Sequence, residues 1–224
     1  MYRKCLKRVI DTTLACIALV LLSPVFLILA VVIPLDSKGP VFFVQERLGK
    51  NGRIFKIYKF RTMVVGAIHI GAGVDTYEGD PRITRVGGFL RKTSLDEFPQ
   101  LINIIKGDMA IIGPRPLLDG TPYRYADYPE AYRPRFDVLP GMFCSVDVKY
   151  RADVTFEKHM EMDVDYVGHI RFGSDVAIFF GTFFTVLQMK SVYHEAPASE
   201  DAELEVPSAD AQAADTSKEE VKTK

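Results

Sequence analysis

The chain has little cysteine and little histidine, and it lacks the common nucleotide-binding loops. Cys5, Cys16 and Cys144 are scattered, odd in number and free of CxxC spacing. That pattern excludes a disulfide framework and a cysteine zinc site, and it fits reduced thiols. His69, His159, His169 and His194 stand apart from one another, so no transition-metal cluster is written here. No GxGxxG or GxxxxGK[ST] stretch is present, so a bound nucleotide would be held by side chains. No internal repeat is visible. Net charge is nearly absent as well, at −1 over 224 residues, a length that suits one ordinary domain. The near-zero sum hides an asymmetry. Residues 195–224 carry nine acidic and three basic side chains, whereas 1–194 carry 25 Lys or Arg against 20 Asp or Glu. A basic body suits an anionic partner such as lipid headgroups or phosphorylated substrates, although an excess of this size is also ordinary in soluble proteins.

What the chain does have is a long uncharged run, residues 12–35. As one helix these 24 residues would span roughly 36 Å, enough to cross a bilayer. The run is too long for a signal peptide, and no small-residue cleavage site follows it. Ser23-Pro24 lies at its middle. Proline removes a backbone donor and clashes with the preceding turn, while the Ser23 hydroxyl can satisfy a freed group. Each half is then roughly 16 Å, half the hydrocarbon thickness. Arg3, Lys4, Lys7 and Arg8 precede the run, and Lys38, Arg47, Lys50 and Arg53 follow it. Basic residues on both sides favour both ends staying cytoplasmic. The reading favoured is a re-entrant helix-break-helix at Ser23 and Pro24, with a single kinked span as the alternative.

The fold class expected is α+β, mostly helical. Residues 41–44 and 54–58 are β-prone around the turn signal Lys50-Asn51-Gly52-Arg53, which predicts a small hairpin. Residues 66–80 are Gly-rich and aperiodic and predict a loop. A helix is predicted from near Ser94 to Lys106-Gly107, with Phe98, Leu101, Ile102 and Ile105 on its apolar face. Pro99 fits only in a first turn, so the start lies close to Asp96. Tyrosines and prolines over 119–140 predict irregular structure with short helices. Residues 154–167 and 176–189 predict two more helices, the second interfacial or buried. The division expected is a membrane anchor over 1–38, a catalytic domain over 39–194 and an acidic disordered tail over 195–224.

Chemistry concentrates at Thr93-Ser94-Leu95-Asp96-Glu97-Phe98-Pro99-Gln100-Leu101. At a helix start the backbone field favours ionised carboxylates and attracts phosphate. An ionised Asp96 can attack phosphorus and form an acyl phosphate, and Glu97 beside it could hold Mg²⁺ against a diphosphate. The competing reading is structural: Ser94-x-x-Glu97 matches a capping box, and taken alone that pattern favours capping. Context shifts the balance. Lys59, Arg61, Arg82, Arg85, Arg91, Lys92 and Arg115 lie in segments rich in Gly and Pro, and arginine forks grip phosphate at two points. For Arg82 or Lys92 singly, a solvated surface charge is the favoured reading.

These residues resemble a known family, the monotopic phosphoglycosyl transferases, also called bacterial sugar transferases or polyprenyl-phosphate hexose-1-phosphate transferases. The matching pieces are the Ser-Pro-broken apolar segment, Arg47-Leu48-Gly49, Lys59-Phe60-Arg61-Thr62-Met63 and Asp80-Pro81-Arg82-Ile83-Thr84. Residues 91–101, 107–116 with Gly113-Pro114-Arg115-Pro116, Pro140-Gly141, Arg151 and 154–189 continue the match, so the resemblance covers 3–193. It implies transfer of a sugar phosphate from a UDP-sugar to polyprenyl phosphate with release of UMP. It puts the nucleophile on Asp96, the Mg²⁺-binding acid on Glu97, and phosphate-binding groups on Arg115, Arg91, Lys59, Arg61 and Arg151. It implies the re-entrant turn at Ser23 and Pro24, amphipathic interfacial helices, and an active site at the cytoplasmic face of the bacterial inner membrane. The length is that of the family's minimal catalytic form. Membrane lipid is an expected partner, a homo-oligomer is compatible, and no nucleic-acid partner is expected.

One segment departs from the family's pattern. After Pro140-Gly141 the family usually has Ile/Leu-Thr-Gly and later Gly-Arg; here the run is Met142-Phe143-Cys144-Ser145-Val146-Asp147-Val148-Lys149-Tyr150-Arg151. The arginine is retained and the Thr-Gly pair is not, so the identity of the sugar is open. Two alternatives stand beside the transferase: a non-catalytic membrane-anchored binder of phosphorylated ligands, and a hydrolase with water as acceptor.

Overall fold

A computed structural model describes residues 2–70, 73, 76, 77, 79–150 and 154–187 of the chain. Arg151 and the acidic tail lie outside the described residues. The predicted end of the last helix also falls partly outside them.

Helix α1, Lys7–Asp36, follows a short π-helical turn at Tyr2–Leu6. Among the described residues it is the one helix long and apolar enough to cross a membrane. Helical structure continues through Ser23-Pro24, where the sequence predicted a break. The reason is local. Pro24 has no N–H for the carbonyl four residues back, and Ser23 Oγ donates to that same Val20 carbonyl at 2.8 Å. Both ends of α1 are tied to the rest of the protein. Arg8 donates to the carbonyls of Ile104 (2.6 Å) and Ile105 (3.2 Å), and Asp36 accepts from the amide of Val86 at 2.9 Å. Between them, one face packs into the core, and Val20, Leu21, Leu27, Ile28, Val31 and Leu35 are exposed.

The predicted hairpin is present and longer than expected. Strands β1 (Phe42–Leu48) and β2 (Ile54–Phe60) pair antiparallel in a register from Phe42↔Phe60 to Leu48↔Ile54. A 3₁₀ turn at Lys50–Gly52 joins them, with Asn51 at positive φ. Phe55, Ile57 and Phe60 turn inward against α1 and its neighbours.

A helix the sequence reading did not anticipate follows: α2, Arg85–Thr93. Gly87 and Gly88 weaken its intrinsic propensity. Thr84 caps it, accepting from the amide of Gly87 at 3.0 Å. Only glycine fits at 87, because a Cβ there would lie 2.0 Å from the Thr62 carbonyl oxygen. The helix predicted from Ser94 is split. Ser94 is left-handed and ends α2, Leu95–Glu97 is a 3₁₀ turn, and α3 runs Gln100–Lys106 with Pro99 at its N-cap. Ser94 makes no side-chain cap bond, so the capping box is not formed. Gly107 stops α3 in a left-handed conformation, as the sequence predicted.

A second, parallel pair was also not foreseen: β3 (Ala110–Ile112) beside β4 (Gly141–Phe143). Gly113 and Gly141 face each other so closely that a Cβ on Gly141 would sit 2.1 Å from the Gly113 nitrogen. Short 3₁₀ turns at Tyr125–Asp127 and Glu130–Asp137 match the irregular segment expected. Helices α4 (Ser145–Lys149), α5 (Phe156–Gly168) and α6 (Phe172–Leu187) complete the described chain. Asp175 of α6 accepts from Lys7 of α1 and from Tyr166 of α5. Phe172, Phe179, Phe180, Phe183 and Phe184 of α6 remain exposed. The architecture is mostly helical with a small two-stranded hairpin, as the fold class predicted.

Candidate active site

An open pocket lies where β1, β2, the 3₁₀ turn before α3, and the loop after β3 converge. Arg47, Ile57, Lys59, Glu97, Gln100, Arg115, Pro116, Gly141, Met142, Cys144 and Asp147 line it. Strand alternation puts Ile57 and Lys59 on one face of β2. The tight Gly113–Gly141 contact fixes the loop that carries Arg115.

Glu97 is the charge centre. Lys59 Nζ sits 2.6 Å from its Oε1, and Arg115 Nη2 is 3.9 Å from the same oxygen. Burial pushes the Glu97 carboxyl up, but Lys59, Arg115 and a hydrogen bond from Gln100 outweigh it and bring it down to about 2. Asp96 behaves oppositely. It is 9% exposed and is not among the lining side chains. Burial raises its carboxyl to about 6; Lys59 and Arg91 pull against that, and the Glu97 charge adds to it. Two adjacent acids thus differ widely in proton affinity, with Asp96 the more basic of the two, which is how neighbouring carboxylates take separate roles.

The sequence-predicted basic residues divide. Lys59 and Arg115 reach the pocket. Arg91 donates from Nε to Thr62 Oγ1 at 2.9 Å and acts on Asp96 through its charge. Arg61 lies outside the pocket lining: its guanidinium binds Ser37 Oγ (2.8 Å), the Ser37 carbonyl and the Pro40 carbonyl (2.6 Å). It therefore ties the end of α1 to the end of β2. Arg82, read singly as a surface charge, is 2% exposed. It pairs with Asp80 at 2.6 Å and donates to the carbonyls of Ala67, Ile70 and Gly73, organising the Gly-rich loop. Arg151 lies outside the described residues. Ser23 and Pro24 sit within α1 as described above.

Four lining residues with polar or ionisable side chains were not singled out as site residues from the sequence: Arg47, Gln100, Cys144 and Asp147. Arg47 donates to the Pro116 carbonyl (3.3 Å) and to Gln45 (2.5 Å). Its burial, with help from the Arg115 charge, lowers it to about 10. Burial pushes the Cys144 thiol well up, so it is not a thiolate nucleophile. Asp147 Oδ1 lies 3.4 Å from Arg115 Nη1. Arg47 opened one of the matched motifs and Asp147 sits in the departing segment, so both carried a signal.

Among the described residues no group of three or more His, Cys, Asp or Glu could cage a metal ion. One or two carboxylates suit Mg²⁺ when it also takes substrate phosphate and water, so Glu97 and Asp96 fit that mode only.

The fold sets one helix of membrane-crossing length and a pocket where Arg47, Lys59 and Arg115 meet Glu97 and Asp147. The chain belongs to the bacterial sugar transferase family, which it matches over residues 2–189. It is 38% identical over 193 residues to the UDP-glucose:undecaprenyl-phosphate glucose-1-phosphate transferase of Escherichia coli K12, covering 84% of this chain and 41% of that protein. A UDP-N-acetylgalactosamine-undecaprenyl-phosphate N-acetylgalactosaminephosphotransferase from Aeromonas hydrophila is 40% identical over 185 residues, 81% of this chain and 44% of that one. The exopolysaccharide production protein PSS of Rhizobium leguminosarum bv. phaseoli is 37% identical over 185 residues, 79% of this chain and 92% of that protein. The chain thus spans about two fifths of the first two relatives and nearly all of the third.

Proposed function

We propose that this protein is a transferase that moves a sugar-1-phosphate from a UDP-sugar to a polyprenyl phosphate, releasing UMP. The observation that carries the reading is the split pair: Asp96 buried and raised, Glu97 held ionised by Lys59 and Arg115 in a basic pocket. The relatives' names supply the substrate class, a UDP-sugar and undecaprenyl phosphate.

In the reaction, Lys59, Arg115 and Arg47 receive the diphosphate and neutralise its charge. An Asp96 carboxylate oxygen attacks the phosphorus bearing the sugar. The new O–P bond forms as the bond to UMP breaks, and UMP leaves with the electron pair. The lipid phosphate then attacks the aspartyl-phosphosugar, restoring the Asp96 carboxylate and forming a lipid diphosphate sugar. Splitting one displacement into two lets donor and acceptor use the same position in turn. A Mg²⁺ ion held by Glu97 would screen the diphosphate and favour departure of UMP.

The membrane reading is that α1 enters and leaves the bilayer on the cytoplasmic face of the bacterial inner membrane. Its support is that Arg8 and Asp36, near opposite ends of α1, both bind the same body. A straight crossing would carry one end roughly 30 Å from it. The exposed apolar faces of α1 and α6 are the surfaces that lipid would cover.

The test is UMP release by detergent-purified protein with Mg²⁺ and a panel of UDP-sugars, with and without polyprenyl phosphate. Lipid-dependent release from one sugar is expected, lost at least ~10³-fold in Asp96→Asn. Phosphosugar trapped on Asp96 supports the covalent route. Release without lipid points to hydrolysis instead, and binding that survives Asp96→Asn with no release from any sugar points to a binding protein.

A further inference from the structure

Arg115 is the most exposed of the charged groups paired at the pocket, with its side chain 44% accessible. An arginine so open has many rotamers, yet this one must meet a phosphate at a defined place. Its backbone is fixed from behind: Arg135 donates to the Arg115 carbonyl at 2.6 Å and is itself locked to buried Asp163 at 2.8 Å. That does not orient the guanidinium, which is held at opposite nitrogens. Nη2 faces Glu97 at 3.9 Å, and Nη1 faces Asp147 at 3.4 Å.

Asp147 is well placed to hold it. Its second oxygen, Oδ2, accepts from the Cys144 amide at 3.3 Å, so the start of α4 pins the carboxylate. Asp147 is thus tethered through one oxygen and offers the other. It also lines the pocket itself, where Arg47, Lys59 and Arg115 stand against Glu97 and Asp147. Asp147 therefore removes part of the positive charge a free anion would meet, and stands against one of the guanidinium nitrogens such an anion could use.

We propose that Asp147 is the positioning residue of Arg115, holding its guanidinium towards Glu97 and making it release one donor to the substrate diphosphate only when that group is correctly seated. The inference rests on the transferase reading above. The electrostatics run the same way as the geometry: Asp147 is the foremost influence raising Arg115, against the burial that lowers it, and Glu97 adds to it, so the guanidinium stays charged. Asp147 does not touch the reacting atoms. Its effect is on where Arg115 waits and on how readily a bare anion displaces the clamp.

Asp147→Asn separates this role from a structural one, because the amide oxygen still accepts from the Cys144 amide while the charge is lost. The full chain in detergent is assayed for kcat and KM with its UDP-sugar, for thermal midpoint, and for UDP affinity by calorimetry. Expected are a ~10-fold fall in kcat, a KM that does not rise, and UDP bound ~3-fold to 10-fold more tightly, with the midpoint unchanged. In an Arg115→Ala background the Asp147→Asn change should have no further effect on kcat, since the two act as a unit. Parallel loss of kcat and midpoint, additive losses in the double variant, or UDP affinity that is equal in the two proteins or absent from both would overturn the proposal. Failure of wild-type protein to release UMP from any donor would instead overturn the transferase reading, and the UDP measurement would still judge Asp147.

Discussion

Arg82 and Arg115 each face a carboxylate, yet they do opposite things with the rest of the guanidinium. Arg82 is buried, paired with Asp80, and donates to three loop carbonyls. Arg115 is open, and its two partners, Glu97 and Asp147, lie at 3.9 and 3.4 Å. Arg135 with Asp163 resembles the first, a buried pair at 2.8 Å that also holds backbone. The lesson is about what is left over. An arginine whose donors end on carbonyls builds a loop; one bracketed by long carboxylate contacts keeps capacity for a ligand. Local sequence context does not separate the two cases, because both sit among glycines and prolines.

That contrast can be broken by substitution. Arg82→Ala leaves Asp80 buried without its partner and should cost ~3–5 kcal/mol, read as a large fall in thermal midpoint with activity lost alongside. Arg115→Ala should cost roughly 10²-fold in kcat/KM for the UDP-sugar with the midpoint nearly unchanged. A midpoint fall as large as that of Arg82→Ala would end the distinction. Arg61→Ala sharpens it, because the sequence placed Arg61 with the phosphate binders and the structure places it at the α1–β2 junction. Losing charge-assisted bonds there should cost about 1.5–3 kcal/mol, while KM for the donor stays within about threefold. A KM rise like that of Arg115→Ala would return Arg61 to the site.

The smallest effect concerns His159, next to the buried Arg135–Asp163 pair. Burial, then the charges of Arg135 and Arg115, lowers its imidazole to about 3. Asp163 Oδ2 is 3.4 Å from its Nε2, but that oxygen already accepts from Arg135, so the imidazole stays neutral. The unfolded chain takes up a proton near pH 6.5 and the native chain does not, so falling pH destabilises the fold through this group. Asp163 is raised to about 6 by its own burial and acts in the opposite direction, so the informative quantity is the difference from His159→Gln. Wild-type stability relative to that variant should fall by roughly 2 kcal/mol between pH 6.5 and 5, read from denaturant unfolding. A flat difference would show His159 to be free to charge.

The legible parts of the fold were those with strong local chemistry. Two β-prone stretches around Asn51-Gly52 announced the hairpin, Gly107 announced the end of α3, and an uncharged run announced α1. Helix α2 was hidden by Gly87 and Gly88, whose reason is a close approach to Thr62 that only the folded chain contains. The parallel pair β3–β4 was hidden because its strands are three residues each and 28 residues separate them. At the site, Asp96, Glu97, Lys59 and Arg115 were legible from adjacency and composition. Arg61 and Arg82 were not separable from them, since a guanidinium's partners are backbone carbonyls set by tertiary packing. Asp147 showed only as a departure from a pattern, and its contact with Arg115 crosses 32 residues.

The bond from Arg8 to the end of α3 makes α1 a ruler. Arg8 grips the carbonyls of Ile104 and Ile105, and the acidic pair sits just before the other end of the same seven-residue helix, roughly 10 Å away. The distance between the Arg8 contact and the carboxylates is therefore written in two turns of α-helix rather than in a flexible linker. Inserting a single residue into α3 would rotate Asp96 by about 100° about that axis as well as lift it. Height and facing are set together, and the chain cannot change one without the other.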